Sequence, residues 1–331
     1  METQRIGYID AMRGLTMILV VYSHICGFCL GNWGMAGNGV LMLFRLPCFF
    51  FISGWLFEKV GRVWDKNNIK TTVRHKFMVQ IVPTFIFLLL LAPPPEFFIR
   101  LGAMKGGYWF TFVLFEFFLL CIFSEKFLRG WGRGLFAILV SLAAFLYDVY
   151  YNCFFVHTGW LKNILGFLSF SPWRFFLFFY IGTIVKRHIG RFEKLTSHPL
   201  VLVLLLCLFA AVAAIPHTEN PFMEYLVFVV AGILGMTAVF TFFRLYYQCF
   251  SVVLFPLRFV GTRTLDIYLL HYFFLPRFLV PWGTAVGLWP SVLASSAILG
   301  ISLFVVGLCL LTSYVIRLSP FLAHYLFGAK R

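Results

Sequence analysis

The chain has 331 residues, 61% of them hydrophobic and 12% charged, with a mean hydropathy of +0.91, whereas a soluble domain is about 25% charged and about 45–50% apolar. That composition excludes a soluble enzyme, a disordered chain and a secreted disulfide scaffold, and predicts an all-α, polytopic integral membrane protein. The formal net charge of +15 does not imply a nucleic-acid partner, because the basic residues lie in short segments between apolar runs and form no single stripe.

Crossing a hydrocarbon core takes about 20 apolar residues. In chain order, ten runs approach that length: 9–30, 40–58, 75–92, 106–124, 134–151, 170–187, 199–215, 222–243, 262–281 and 290–317. They predict a single transmembrane domain over 1–331. Asp148, Arg174, Asp266 and His271 interrupt the fifth, sixth and ninth runs. Alternate connections are basic. Lys59, Arg62, Lys66, Lys70, Arg74 and Lys76 follow the second run, and Lys126, Arg129 and Arg133 follow the fourth. Lys186, Arg187, Arg191 and Lys194 follow the sixth, Arg244, Arg258 and Arg263 bracket the connection after the eighth, and Arg317, Lys330 and Arg331 follow the tenth. The opposite connections hold only Arg100, Lys105, Lys162, Arg174 and Arg277. The positive-inside rule then predicts an even number of spans with both termini in the cytoplasm, in the inner (cytoplasmic) cell membrane. The first run carries Asp10, Arg13 and His24 and no A-x-A-like site follows it, which predicts a retained span and not a signal peptide. Cys26, Cys29, Cys48, Cys121, Cys207, Cys249 and Cys309 lie in or beside apolar runs. With no second CxxC and no His cluster, they are expected to be buried, reduced thiols, and no metal is expected.

An ionisable side chain inside a span costs at least about 2.5–3.5 kcal/mol on insertion scales, so each marks a functional position. Arg13 and His24 are eleven residues apart, about 20° past three full turns, and so share a helix face about 16 Å apart along the axis. Asp10 lies one turn below Arg13 and can pair with it; taken alone, those two read as an interfacial ion pair. Arg45 sits about five residues into the second run, near the depth of His24 if that run descends from the outside. Pro47 follows, and backbone carbonyls freed by proline are tolerated at membrane depth only beside protein or a wet cavity. Ser53 and Gly54 allow close helix approach. The competing reading of Arg45 is a side chain snorkelling to the outer interface. Glu116 stands mid-run and demands a partner from another span. Asp266 and His271 are five residues apart and face about 140° from one another, so they cannot form one local dyad; Asp266 is within one turn of Arg263. Asp148, His157 and Arg174 are expected at the outer surface, solvated, with Arg174 available to hold an acceptor.

These segments together resemble the acyltransferase-3 family of membrane O-acyltransferases. Asp10-Ala11-Met12-Arg13-Gly14 followed by His24 is similar to the family's opening D-x-x-R-G signature with its Arg-x10-His spacing. Arg45-Leu46-Pro47-Cys48-Phe49-Phe50-Phe51-Ile52-Ser53-Gly54 is similar to its second-span pattern. The Trp109-Phe110 span, the segment 175–182 and Ile267-Tyr268-Leu269-Leu270-His271 follow in the family's order, with Glu116 seven residues after Trp109. The compact size is similar to fucose-acetylase-like members, which carry no appended soluble domain.

The resemblance implies transfer of an acyl group, commonly acetyl from cytoplasmic acetyl-CoA as co-substrate, to a hydroxyl of a surface glycan or its lipid-linked precursor. The partners implied are an acyl-CoA, a carbohydrate or glycolipid acceptor and the lipid bilayer, with no nucleic acid and no metal. A sugar hydroxyl is a poor nucleophile and needs a general base. His24 is the expected base, Arg45 the expected stabiliser of the oxyanion, and Glu116 a third catalytic candidate. Arg13, with Asp10, is the candidate for the CoA phosphates, and Arg174, His271 and Trp109 are candidates for contact with the acceptor. The basic segment 59–76 suits either polyanionic CoA or anionic lipid. His24 carrying the acyl group itself is an alternative chemistry. A transporter or flippase is the alternative function; it would favour an internal repeat, and the Arg13–His24 and Arg45–Pro47 features occur once each.

Overall fold

The structure is a computed structural model that describes residues 6–59, 61–92, 96, 104–154, 164–216 and 219–329; Arg100, His157, Lys162, Lys330 and Arg331 lie outside the described residues. Among the described residues it is helical, with no strand. The helices are α1 Gly7–His24, α2 Asn38–Phe57, α3 Lys66–Lys76, α4 Val82–Leu91, α5 Trp109–Phe127, α6 Trp131–Phe154 and α7 Phe176–Arg187. They continue with α8 Ile189–Leu195, α9 Pro199–Ala213, α10 Pro221–Tyr246, α11 Ser251–Thr262, α12 Thr264–Phe274, α13 Ser291–Arg317 and α14 Pro320–Phe327.

Among the described residues, six helical stretches are long and apolar enough to cross a membrane: Gly7–Cys29, Asn38–Phe57, Lys66–Leu91, Trp131–Tyr150, Pro221–Tyr246 and Ser291–Arg317. The pair Ile189–Leu195 and Pro199–Ala213, bent by 83°, makes a seventh if it is one span. Proline explains why other apolar runs are broken, since it lacks an N–H and clashes with the preceding turn. The run 170–187 opens with the 3-10 turn Ser171–Phe175 at Pro172 before α7, and the run 262–281 stops at Phe274, with Pro276 and Pro281 beyond it. Pro83 is tolerated near the start of α4 because the preceding turn widens into the π-turn Phe77–Ile81, which loosens the ladder where the N–H is missing.

The chain forms two compact units, Met1–Ile52 with Gly190–Pro216 and Val227–Ile316, and Ser53–Ile189 with His217–Leu226 and Arg317–Arg331. In the first unit α1 runs along α11. The stretch 251–262, which reads in sequence as part of a basic connection, is therefore a packed helix; Pro256 and Arg258 break its apolar run. The contact is backbone to backbone. A Cβ on Gly14 would overlap the carbonyl of Leu257, and one on Gly261 would overlap the carbonyl of Asp10. Gly14→Ala should therefore cost at least the roughly 1–3 kcal/mol of an overpacked core. The expected result is a lower thermal midpoint of the purified protein in detergent. Gly300→Ala, in the interior of α13 where nothing lies within 4 Å, is the matched control and should leave the midpoint unchanged or slightly raised, because Ala is the better helix former.

In the second unit Gly54 lies directly against the carbonyl of Phe179, the close approach that small residues allow between membrane helices. Four helix ends meet in one ionic network. Arg187 Nη2 reaches Glu58 Oε2 at 2.8 Å and Glu125 Oε1 at 2.7 Å, and Arg133 Nη1 reaches Glu125 Oε2 at 2.7 Å. Two guanidinium groups against two carboxylates compensate each other, which is what burial of such charges requires. Lys105, counted in sequence among the basic residues of the connections, is packed inside the protein. It is buried, with Nζ donating to the Phe167 carbonyl and lying 4.7 Å from that ring's centroid. Cys26, Cys29, Cys48, Cys121 and Cys309 are buried free thiols, but Cys207 and Cys249 are exposed; an apolar run predicts lipid contact as readily as packing.

Candidate functional site

The first unit gathers the ionisable residues of α1, α2 and α12. Helix α1 ends at His24 and opens into the π-turn Ile25–Cys29, where Leu30 N donates to Ile25 O at 3.0 Å; such widened turns recur at functional sites. His24 Nδ1 lies 2.8 Å from His271 Nε2. The two rings are within 15° of parallel with centroids 5.0 Å apart. That centroid separation is nearly the nitrogen separation plus two ring radii, so the rings meet edge to edge, along the in-plane direction of a nitrogen lone pair. His271 is fully buried, and its Nδ1 faces the carbonyls of Tyr268 at 2.7 Å and Ile267 at 3.1 Å. His24 is half-buried. Phe28, Trp33 and Tyr272 surround it with ring centroids at 5.3, 6.3 and 5.4 Å, and Phe28 and Trp33 are 43% and 40% exposed.

Arg45 is only 5% exposed, which removes the snorkelling reading. Its Nη1 donates to Asn38 Oδ1 at 3.1 Å, and Asn38 Nδ2 in turn donates to the Trp33 carbonyl at 2.6 Å. Arg45 Nε is buried with no hydrogen-bond partner among the described residues. None of the described carboxylates lies within ion-pair distance of Arg45. The guanidinium is close enough to His24 and Cys26 to act on both electrostatically. A buried cation without an anion is costly, and here its charge is felt at the part-buried His24 imidazole.

Arg13 Nη2 donates to Thr264 Oγ1 at 2.7 Å, and Nη1 lies 3.6 Å from Asp10 Oδ1. Thr264 and His271 both belong to α12. Arg13 and His24 thus reach the same neighbouring helix, as their spacing on one face of α1 predicts. Asp10 is buried, with Oδ2 unpaired among the described residues. Asp266 accepts from Ser313 Oγ at 2.5 Å and lies 4.0 Å from Arg263, so it makes no dyad with His271.

The remaining candidates belong to the second unit. Glu116 finds the partner it needs in Trp173, whose Nε1 donates to Oε2 at 2.7 Å, and Lys105 acts on it electrostatically. Arg174 Nη1 pairs with Asp148 Oδ2 at 2.5 Å, and its carbonyl accepts from Ser141. Trp109 is half-buried and meets Phe110 edge-on with centroids 6.1 Å apart. Four residues at His24 and Arg45 are absent from the sequence reading: Asn38, Trp33, Phe28 and Tyr272. The available signal was a polar Asn-Trp-Gly loop between two apolar runs, followed by an Asn at the start of α2.

These features define a polytopic helical membrane protein with a paired imidazole and an uncompensated buried guanidinium in one site. The family model described as an acyltransferase domain matches residues 6–316. The chain belongs to that family, acyltransferase-3, and is a membrane acyltransferase. No curated protein and no solved structure matches it.

Proposed function

We propose that the protein transfers an acyl group, acetyl in the first instance, from acyl-CoA to a hydroxyl of a cell-surface glycan or its lipid-linked precursor. The observation that carries this reading is the part-buried His24 imidazole within electrostatic reach of buried Arg45, whose guanidinium has no carboxylate partner among the described residues. His24 removes the proton of the acceptor hydroxyl as its oxygen attacks the thioester carbonyl. Arg45 is proposed to stabilise the oxyanion that forms. Collapse of the tetrahedral species breaks the C–S bond, and the proton on His24 passes to the CoA thiolate. The products are the O-acyl ester and free CoA.

The part-exposed rings of Trp33 and Phe28 suit a sugar ring, since recognition sites combine aromatic walls with few polar groups. Arg13, half-exposed and steadied by Asp10, is the residue proposed for the CoA phosphates, about 16 Å from His24 along α1. Glu116, Trp109 and Arg174, which lie within the second unit, are proposed as further functional residues. The proposed topology has ten spans and cytoplasmic termini in the inner membrane, supported by the alternation of basic connections. The test is deletion of the gene in its host, restoration with the wild-type gene, and mass spectrometry of the surface glycans, with transfer of label from acetyl-CoA measured in isolated membranes. An acetyl-sized mass should vanish and return. Unchanged glycans with no label transferred would overturn the assignment.

A further inference from the structure

We propose that His271 is a positioning residue that fixes which nitrogen of His24 takes the proton. This rests on the reading of His24 as general base and goes beyond it. The carbonyls of Tyr268 and Ile267 can only accept, so the Nδ1 of His271 that faces them at 2.7 and 3.1 Å carries its hydrogen. A neutral imidazole has one N–H, which leaves His271 Nε2 with an in-plane lone pair. A second proton there would place a cation in a fully buried site with none of the described carboxylates in ion-pair reach, the costly arrangement.

His24 Nδ1, 2.8 Å from that lone pair and aligned edge to edge with it, is therefore the donor. Its one hydrogen is then committed to His271, and the lone pair of His24 is on Nε2, which has no hydrogen-bond partner among the described residues, on a side chain that is only part-buried. The arrangement has the logic of a base held by a third group, with a neutral imidazole in the place usually taken by a carboxylate. When Nε2 accepts the hydroxyl proton, the positive charge that develops strengthens the Nδ1–H bond to His271, because a charged donor makes the stronger hydrogen bond. Asp266, the nearest acid in sequence, is occupied by Ser313. Both ring nitrogens of His271 are occupied within the protein, so we assign it behind the base and not in contact with the acceptor.

Two measurements test this. The first is the 15N spectrum of histidine-labelled wild-type protein in lipid nanodiscs, with His24 assigned by its loss in His24→Ala. His24 should carry hydrogen on Nδ1 and none on Nε2, and in His271→Leu it should revert to hydrogen on Nε2. The second is steady-state kinetics. His271→Leu should lower kcat tenfold or more with KM for both substrates changed less than twofold. His271→Gln, whose amide oxygen can accept from His24 Nδ1, should recover most of the loss. A wild-type spectrum with hydrogen on His24 Nε2 would overturn the proposal, as would equal kcat for the Leu and Gln variants or a loss confined to KM. Should the Leu variant fail to reach the membrane, the wild-type spectrum and the Gln variant still decide. Full activity in His24→Ala would remove the base and this proposal together, whereas the wrong tautomer in the wild type removes this proposal alone.

Discussion

His24→Ala should lower acyl transfer by about 10²–10⁴-fold, the usual contribution of a positioned general base, while the protein accumulates in the membrane at the wild-type level. The geometry separates those two outcomes. His24 is half-buried at the end of α1, and the packing that holds α1 in place lies about three to four turns away, where Gly14 and Gly261 meet the α11 and α1 backbones. Removing the imidazole leaves His271 Nε2 without its donor, a loss of at most about 1–3 kcal/mol, away from the packing that holds α1. Stability should therefore fall little and activity greatly. The measurement is restoration of a deletion strain with wild type or His24→Ala, reading the surface glycans by mass and the protein by membrane immunoblot. Complete restoration by His24→Ala at equal abundance would make His24 structural.

How far the site was legible in sequence depends on whether a relation lies within one helix or between helices. The pairing of Asp10 with Arg13 and the shared face of Arg13 and His24 follow from helical spacing alone, and both hold in the structure: the ion pair is 3.6 Å, and Thr264 and His271 receive the two side chains from the same helix. The partnership of His24 with His271 crosses 247 positions, and no periodicity within α1 or α12 encodes it. Spacing could say only that Asp266 and His271 face apart, which is what their separate contacts with Ser313 and His24 express. Asn38 was invisible for a different reason. It reads as a loop polar residue, the commonest place for Asn, yet it is fully buried and holds Arg45. Helix α11 was hidden because Pro256 and Arg258 interrupt its apolar run, although its contact with α1 leaves a trace in the glycine of the Asp-x-x-Arg-Gly segment.

Arg45→Met should reduce acyl transfer by about 10²–10³-fold, the range for losing one group aimed at a developing oxyanion, and should leave thermal stability unchanged or raised. The opposed signs are the test. A guanidinium that serves the fold would be compensated by a carboxylate, and breaking such a pair destabilises strongly. Arg45 has no carboxylate in reach among the described residues, one hydrogen bond from Nη1 to Asn38 at 3.1 Å, and a buried Nε with no partner among those residues. Replacing that charge by an unbranched apolar side chain removes a desolvation cost and sacrifices one hydrogen bond worth about 1.5–3 kcal/mol for a charged donor, so the two nearly offset. Arg45→Lys keeps the charge but loses the planar fork that reaches Asn38 and a substrate oxygen together, and should remain well below wild type. Asn38→Ala should fall between wild type and Arg45→Met, because it frees the guanidinium without removing it. Thermal unfolding in detergent beside transfer kinetics checks all three. A fall in melting temperature that tracks the loss of activity across the series would make Arg45 a structural residue and leave the oxyanion without its proposed partner.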